Sequence, residues 1–241
     1  MANVEQHYDE VLSDVYSWMF GGFESGIQRN VEFFNELQLT PRNSGNAVDL
    51  GSGCGFQSIP LAKAGYSVTA IDLDSKLLSE LKNNSGNLPI NPIQANLIDF
   101  ESIVKSGSEL IVCMTDTILH LESREQVISL FEGVYKTLEP KGTFVLTFRD
   151  LTNELNELDR FMPVKSDENI IFTCFLEYEV DTVKVHDIVY KNLSGEWKLY
   201  KGFYRKLRLS KDWIDRKLSC SGFSKIDSKM EKGFVTVVAT K

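Results

Sequence analysis

The chain has 241 residues, 42% of them hydrophobic, and a formal net charge of −8. That length and composition are enough for a sizeable core, as one large domain or a domain with a subdomain. The acidic balance argues against a general nucleic-acid binder, and no apolar run approaches the ~20 residues of a membrane-spanning helix. Residues 1–20 lack the basic start and apolar core of a secretory leader, which points to a cytoplasmic protein. The four cysteines (54, 113, 174 and 220) stand far apart without metal or redox spacing, so reduced, buried thiols and no metal site are expected.

Residues 4–20 place Val4, Val11, Leu12, Val15, Tyr16 and Met19 at roughly helical spacing, and Gly21-Gly22 ends the run. A second helix is expected from about Gly26 to Leu39, stopped by Pro41. Residues 1–44 thus read as an N-terminal helical cap. Its aromatics Tyr8, Tyr16 and Trp18 either anchor the cap to the core or close over a bound group.

The next stretch, Ala47-Val-Asp-Leu-Gly-Ser-Gly-Cys-Gly-Phe56, is the chemical centre of the sequence. Ala47, Val48 and Leu50 suit a buried parallel strand, which Asp49 interrupts with a charge. Gly51, Gly53 and Gly55 allow a tight turn and close approach of a ligand to the backbone. A helix then opens at Gln57, with Pro60 in its first turn. Downstream, Ser67-Val-Thr-Ala-Ile71 has strand composition and ends at Asp72, where a carboxylate beside the glycine turn can accept both hydroxyls of a ribose. Nicotinamide dinucleotides and S-adenosylmethionine both suit such a corner. Here the glycines are spaced G-x-G-x-G, and Phe56 stands where the dinucleotide fingerprint needs its third glycine. Asp49 would also repel a pyrophosphate but favours an ammonium and a sulfonium. The methyl donor is the better fit.

With these residues in view, the sequence resembles the class I S-adenosylmethionine-dependent methyltransferases. Val48–Gly55 looks like their first motif and Val68–Asp74 like their second; Pro92–Leu97 is similar to the third strand and its adenine contact. Leu110–His120 resembles the fourth strand and the substrate-facing turn after it, Leu138–Leu146 the start of the fifth strand, and Cys220–Phe223 with Phe234–Val238 the closing antiparallel pair. The likeness covers roughly residues 45–150 and 210–240, in order. It implies an α/β fold: a seven-stranded Rossmann-like sheet, mostly parallel with the last strand antiparallel, and helices on both faces. It also implies S-adenosylmethionine as cofactor, held by Asp49, Gly51, Ser52, Gly53, Gly55, Asp72, Leu73, Asn96, Leu97, Met114 and Thr115. Asn96 departs from the usual acid, although its amide oxygen can still accept from an adenine amino group.

Asp116 and His120 follow the fourth strand closely, where open α/β sheets place their ligands. With Tyr8 they are the candidates to orient or deprotonate a methyl acceptor; the alternatives are a turn-forming role for Asp116 and a core role for His120. Arg149 and Asp150 end the fifth strand and either hold an anionic substrate or pair with each other. Ser123 caps an amphipathic helix running to Thr137. Residues 151–209 read as an inserted three-stranded antiparallel sheet before a last helix, Lys211–Cys220, with residues 45–150 and 210–241 forming the cofactor-binding domain. The insertion serves as a lid over the acceptor or as a homodimer interface, and the two are compatible. Tyr16, Trp18, Arg149, His186 and Tyr204 are the expected substrate contacts. The basic, aromatic stretch Lys198–Lys217 can bind RNA in principle, but period-two alternation places many of its charges on a solvated strand face. The sequence therefore suggests methyl transfer to a small molecule by in-line displacement. The alternatives are an RNA or protein methyltransferase, or a non-catalytic S-adenosylmethionine binder. Nucleic acid and membrane are not expected partners.

Overall fold

The computed structural model describes residues 4–104 and 107–241, with the side chains of residues 4, 5 and 9 outside that description. The apolar role expected of Val4 therefore lies outside the described residues. The chain lays down β1 (Asn46–Leu50), β2 (Ser67–Asp72), β3 (Ile90–Gln94), β4 (Ser108–Cys113) and β5 (Leu138–Arg149). It then builds β6 (Phe161–Ser166), β7 (Ile170–Tyr178), β8 (Thr182–Leu193) and β9 (Glu196–Leu207). The helix Lys211–Cys220, β10 (Lys225–Glu231) and β11 (Phe234–Thr240) complete it. Seven strands form one sheet in the order β10-β11-β5-β4-β1-β2-β3, with β1 to β5 parallel and β11 antiparallel to both neighbours.

Near-continuous apolar runs are what a parallel sheet covered on both faces requires. Helices Phe23–Glu36 and Ser58–Lys63 pack on the face that carries Ala47, Val68, Leu110 and Val112. Helices Arg124–Thr137 and Lys211–Cys220 cover the opposite face through Val48, Ile111, Phe144 and Leu146. The caps are those the sequence supplies: Asp74 accepts from the amides of Lys76 and Leu77, Ser123 from Gln126, and Ser210 from Trp213.

Three expectations are corrected. Residues 4–20 are not one helix but short helical turns at Val4–His7 and Tyr16–Met19, separated by a π-helical turn, Tyr8–Leu12, and a 3₁₀ turn, Ser13–Val15. The inserted sheet has four strands in the order β6-β7-β8-β9, not three. Pro163 masks β6 in the sequence, yet an edge strand tolerates it. Finally, only Cys54 and Cys113 are buried, Cys174 is half-buried and Cys220 is exposed; all four are free.

The N-terminal turns lie between the two sheets. Val11, Leu12 and Val15 pack against Phe172, Leu176, Val185 and Tyr204 of the inserted sheet, each such burial being worth about 1.5–3 kcal/mol. On the other side, Ser13 Oγ donates to Asp74 Oδ2 at 2.5 Å and Ser17 Oγ to Glu80 Oε1 at 2.5 Å. The cap is thereby tied to the inserted sheet on one side and, on the other, to the helix Ser75–Ser85 that Asp74 caps.

Candidate active site

The site begins where β1 runs out. The amides of Gly51 and Ser52 both donate to Ile71 O, at 2.8 and 3.0 Å, and swing the chain out of the sheet. Gly51 has φ +77°, and a side chain there would collide with that of Thr117. Gly53, with φ +52°, donates its amide to Asp72 Oδ2 at 2.7 Å, while Asp72 Oδ1 accepts from the Asp74 amide at 2.8 Å. A cleft of about 660 Å³, part of it open to solvent, spreads from this turn. Gly51 and Gly53 form its floor, and Ile71, Asp72, Leu73, Asp74 and Leu77 one wall. Ala95 and Leu97 add an apolar shelf, Thr115, Thr117 and His120 stand opposite, and Tyr8 and Tyr16 come from the cap.

Charge narrows what can bind. Asp72 and Asp74 line the cleft and, among its described lining residues, there is no Lys or Arg. Asp49 lies behind the turn, 1% exposed, held by a 2.6 Å bond from Ser58 Oγ. Burial pushes its carboxyl up to about 7, against the Ser58 hydrogen bond and with help from Asp72. Burial also raises Asp72, opposed by the Asp74 and Gly53 amides. Asp49 Oδ1 and Ser52 Oγ are buried without hydrogen-bond partners. A cleft lined by two carboxylates, with the partnerless Asp49 oxygen behind its glycine turn, suits a cationic ligand and repels a pyrophosphate. The glycine cradle, the acidic wall and the apolar shelf fit S-adenosylmethionine and do not fit a dinucleotide.

At the far end, three rings meet. Tyr8 stands edge-on to His120 at 5.9 Å between centroids, and Tyr204 lies 5.1 Å from His120 and 6.2 Å from Tyr8. Burial lowers the His120 imidazole to about 3, with Lys206 and His7 adding to the effect against the pull of Asp116. It is therefore neutral at physiological pH, and its Nδ1 is buried without a partner. Burial raises the Tyr8 and Tyr204 phenols well above their ordinary range, so both keep their protons.

Asp116 is placed elsewhere. It sits at φ +68° and is 2% exposed. Its Oδ1 accepts from the Arg149 amide at 2.7 Å, and its Oδ2 from Arg149 Nη1 at 2.6 Å and Lys206 Nζ at 2.7 Å. Burial alone would raise this carboxyl, but the two cations override it and hold it far below the usual carboxylate range. A carboxylate so committed is a poor base, and it does not line the cleft. Of the two alternatives for Asp116 this geometry favours the turn-forming one, and Arg149 and Asp150, expected either to hold an anionic substrate or to pair with each other, do not pair. Arg149 serves Asp116 instead, while Asp150 accepts from Thr152 and Lys211.

Of the residues expected to hold the cofactor, Gly51, Gly53, Asp72, Leu73, Leu97 and Thr115 line the cleft. Met114 is buried beside it, and Gly55, at φ +97°, packs closely on Leu81. Asn96 is exposed, and its amide oxygen accepts from the Ile98 amide at 3.2 Å, which leaves a second lone pair for an adenine amino group. Tyr8, Tyr16, His120 and Tyr204 do converge. Trp18 does not: its Nε1 donates to Asp167 at 2.5 Å and Lys165 covers its ring. His186 lies on the outer face of the inserted sheet, between Phe175 and Phe203 and bonded to Glu177. Sequence reasoning missed Ile71, Asp74, Leu77, Ala95 and Thr117, and also Lys206 behind the wall. Lys206 shares the strand parity of Tyr204, the one signal that would have turned it inward.

Residues 47–142 match the family described as "Methyltransferase domain". The putative methyltransferase YqeM of Bacillus subtilis is 31% identical over 107 residues, a match spanning 44% of this chain and 43% of that protein. The phosphoethanolamine N-methyltransferase of Plasmodium falciparum is 28% identical over 199 residues, covering 80% of this chain and 73% of that one. Among solved structures, the CcbJ methyltransferase from Streptomyces caelestis superposes with a TM-score of 0.76 at 19% identity, covering 96% of each chain. An S-adenosylmethionine-dependent methyltransferase from Clostridium acetobutylicum gives 0.73 at 18% identity, over 98% of this chain and 96% of that one. At such identities the structural likeness is one of fold.

Proposed function

We infer that this chain, which belongs to the class I S-adenosylmethionine-dependent methyltransferases, binds S-adenosylmethionine in the acidic cleft and methylates a nitrogen or oxygen of a small molecule. The observation that carries this is the cleft itself: a glycine floor and two lining carboxylates, with no Lys or Arg among its described lining residues, ending at a neutral imidazole between two tyrosines. When bound, S-adenosylmethionine supplies a methyl group on a sulfonium that carries its own leaving group. The chain's work is then positioning, exclusion of water and handling of the acceptor's proton.

Asp72 accepts from ribose hydroxyls, and Gly51 and Gly53 admit the ligand's backbone-facing side. Asp49, with an unspent oxygen, favours a positive charge beside the turn. Tyr8 and Tyr16 roof the cleft and keep water out. His120, neutral and weakly basic, accepts a hydrogen bond from an acceptor N–H or O–H; it does not store the proton. A neutral imidazole also adds no positive charge against the sulfonium. Tyr8, protonated, orients the acceptor with its hydroxyl, and Tyr204 packs against His120 and holds that ring in place. Asp116 fixes Arg149 and Lys206, and the exposed part of the Arg149 guanidinium left over from that pairing can meet an anionic part of the acceptor. Two relatives are named for N-methylation of phosphoethanolamine and of glycine or sarcosine, and one as an O-methyltransferase of ubiquinone biosynthesis. These names support small amines and hydroxyl compounds as the acceptors to test.

The test is methyl transfer from labelled S-adenosylmethionine to a panel of small amines and hydroxyl compounds. An accepted compound whose turnover falls at least ~100-fold in His120→Ala, with S-adenosylhomocysteine affinity kept, supports the reading. Equal turnover in that variant removes His120 from the site.

A further inference from the structure

Tyr8 can roof the cleft only if the turn that carries it is held still. The adjacent residue, His7, points the other way, into the inserted sheet, where it is 5% exposed. Its Nε2 lies 2.8 Å from Asp187 Oδ2, and Asp187 is 1% exposed on the inner face of β8. The other Asp187 oxygen accepts from Cys174 Sγ at 3.0 Å. Directly across the ladder from Asp187 stands Gly202 in β9. A side chain at 202 would come within 2.5 Å of His7 Nδ1, so the absence of one gives the imidazole its seat. The His7 ring also packs 4.9 Å from Tyr204, the same ring that touches Tyr8 and His120. The π-helical turn starts at Tyr8 itself, and such turns recur where a side chain must be aimed.

We propose that the buried His7–Asp187 pair, seated by Gly202, pins the N-terminal turn to the inserted sheet and so sets Tyr8 over the cofactor cleft. Asp187 is a positioning residue that acts through His7; neither lines the cleft. The inserted sheet thereby does more than wall the acceptor space, because it holds the roof of the cofactor site from 180 residues away in sequence. The inference rests on the reading of the cleft as the methyl donor's site.

The readout is the dissociation rate of S-adenosylhomocysteine from the full chain, by surface plasmon resonance. Asp187→Ala removes the anchor. Gly202→Ala keeps every functional group and only displaces His7, so it decides the matter should Asp187→Ala fail to fold. Each should speed dissociation about ten-fold, and Asp187→Asn, which can still accept a hydrogen bond, should stay near wild type. On a Tyr8→Ala background, itself fast, neither substitution should add more than about two-fold, because the pin acts through that ring. Val127→Ala, in the core on the other side of the main sheet, should lower the melting temperature without changing the rate, which separates positioning from general loosening. Wild-type dissociation in Asp187→Ala and Gly202→Ala, with Tyr8→Ala fast, would overturn the pin and leave the cofactor site standing. Wild-type dissociation in Tyr8→Ala would overturn the roof and the pin together. Failure of the unmodified chain to bind S-adenosylhomocysteine would remove the functional reading beneath both.

Discussion

Replacing Asp116 with Ala separates an anchoring carboxylate from a catalytic one. In the folded chain this carboxylate faces Lys206 Nζ at 2.7 Å, with that side chain only 11% exposed, and Arg149 Nη1 at 2.6 Å, with that side chain 56% exposed. Arg149 can turn to water when its partner goes, so its loss is small after screening. Lys206 cannot, and an unpaired buried cation costs about 3–5 kcal/mol. For a domain of this size that lowers the melting temperature by roughly 6–20 °C, at ~2–4 °C per kcal/mol. The Arg149 amide also loses its acceptor. Thermal unfolding by circular dichroism at pH 7.5 measures the loss, and Asp116→Ala combined with Lys206→Met should recover much of it because no charge is left stranded. The pH dependence has a fixed sign. The folded-state pKa is depressed, so the pair's contribution is present above the ordinary carboxylate value of 3.8 and is lost as pH falls through the folded one. A single variant that melts within about 2 °C of wild type but loses turnover would refute the anchoring role and restore Asp116 as a catalytic group.

Three other outcomes follow from the same geometry. Gly26→Ala, within a helix, would ordinarily stabilise by ~1 kcal/mol. Here the new methyl would lie 2.4–2.7 Å from the Phe56 ring, so a lower urea midpoint is expected and a higher one would contradict the packing. Asp49 titrates at about 7 in the folded chain, and a cationic ligand favours its ionised form. Affinity for S-adenosylhomocysteine, with its ammonium, should therefore rise from pH 6 to 8, and Asp49→Asn should flatten that slope in calorimetry; an unchanged slope would place the titrating group elsewhere. His120 stays neutral down to about 3, whereas the unfolded chain binds that proton near 6.5. Its contribution is full above 6.5 and drains away as pH falls towards 3, so His120→Gln should be less acid-sensitive than wild type in denaturant titrations between pH 7 and 4.5.

Much of the scaffold was legible because its signals are local. Ser123 caps its helix through an amide three residues on, and the glycine turn and Asp72 are fixed by strand ends the sequence marks with apolar runs. The helix Lys211–Cys220 has the bounds its pattern predicts. What escaped depends on partners distant in the chain. Asp116 looked catalytic because it follows β4, yet its role is set by Lys206, 90 residues on. His186 looked like a substrate contact, but strand parity sends it to the outer face while Asp187 turns inward. Trp18 lies in the right helical turn and faces the wrong way, towards Asp167. The N-terminal turns have helical spacing, but the clamp between two sheets breaks them into π and 3₁₀ pieces, a tertiary effect that periodicity cannot register.

The most direct test of the central claim is calorimetric titration of the chain with S-adenosylhomocysteine and, separately, with NAD, repeated on Asp72→Ala. Saturable binding of S-adenosylhomocysteine alone, weakened at least ~10-fold by the substitution, is the predicted result. Binding of NAD in preference, or S-adenosylhomocysteine affinity indifferent to Asp72, would contradict the assignment of the acidic cleft to a methyl donor.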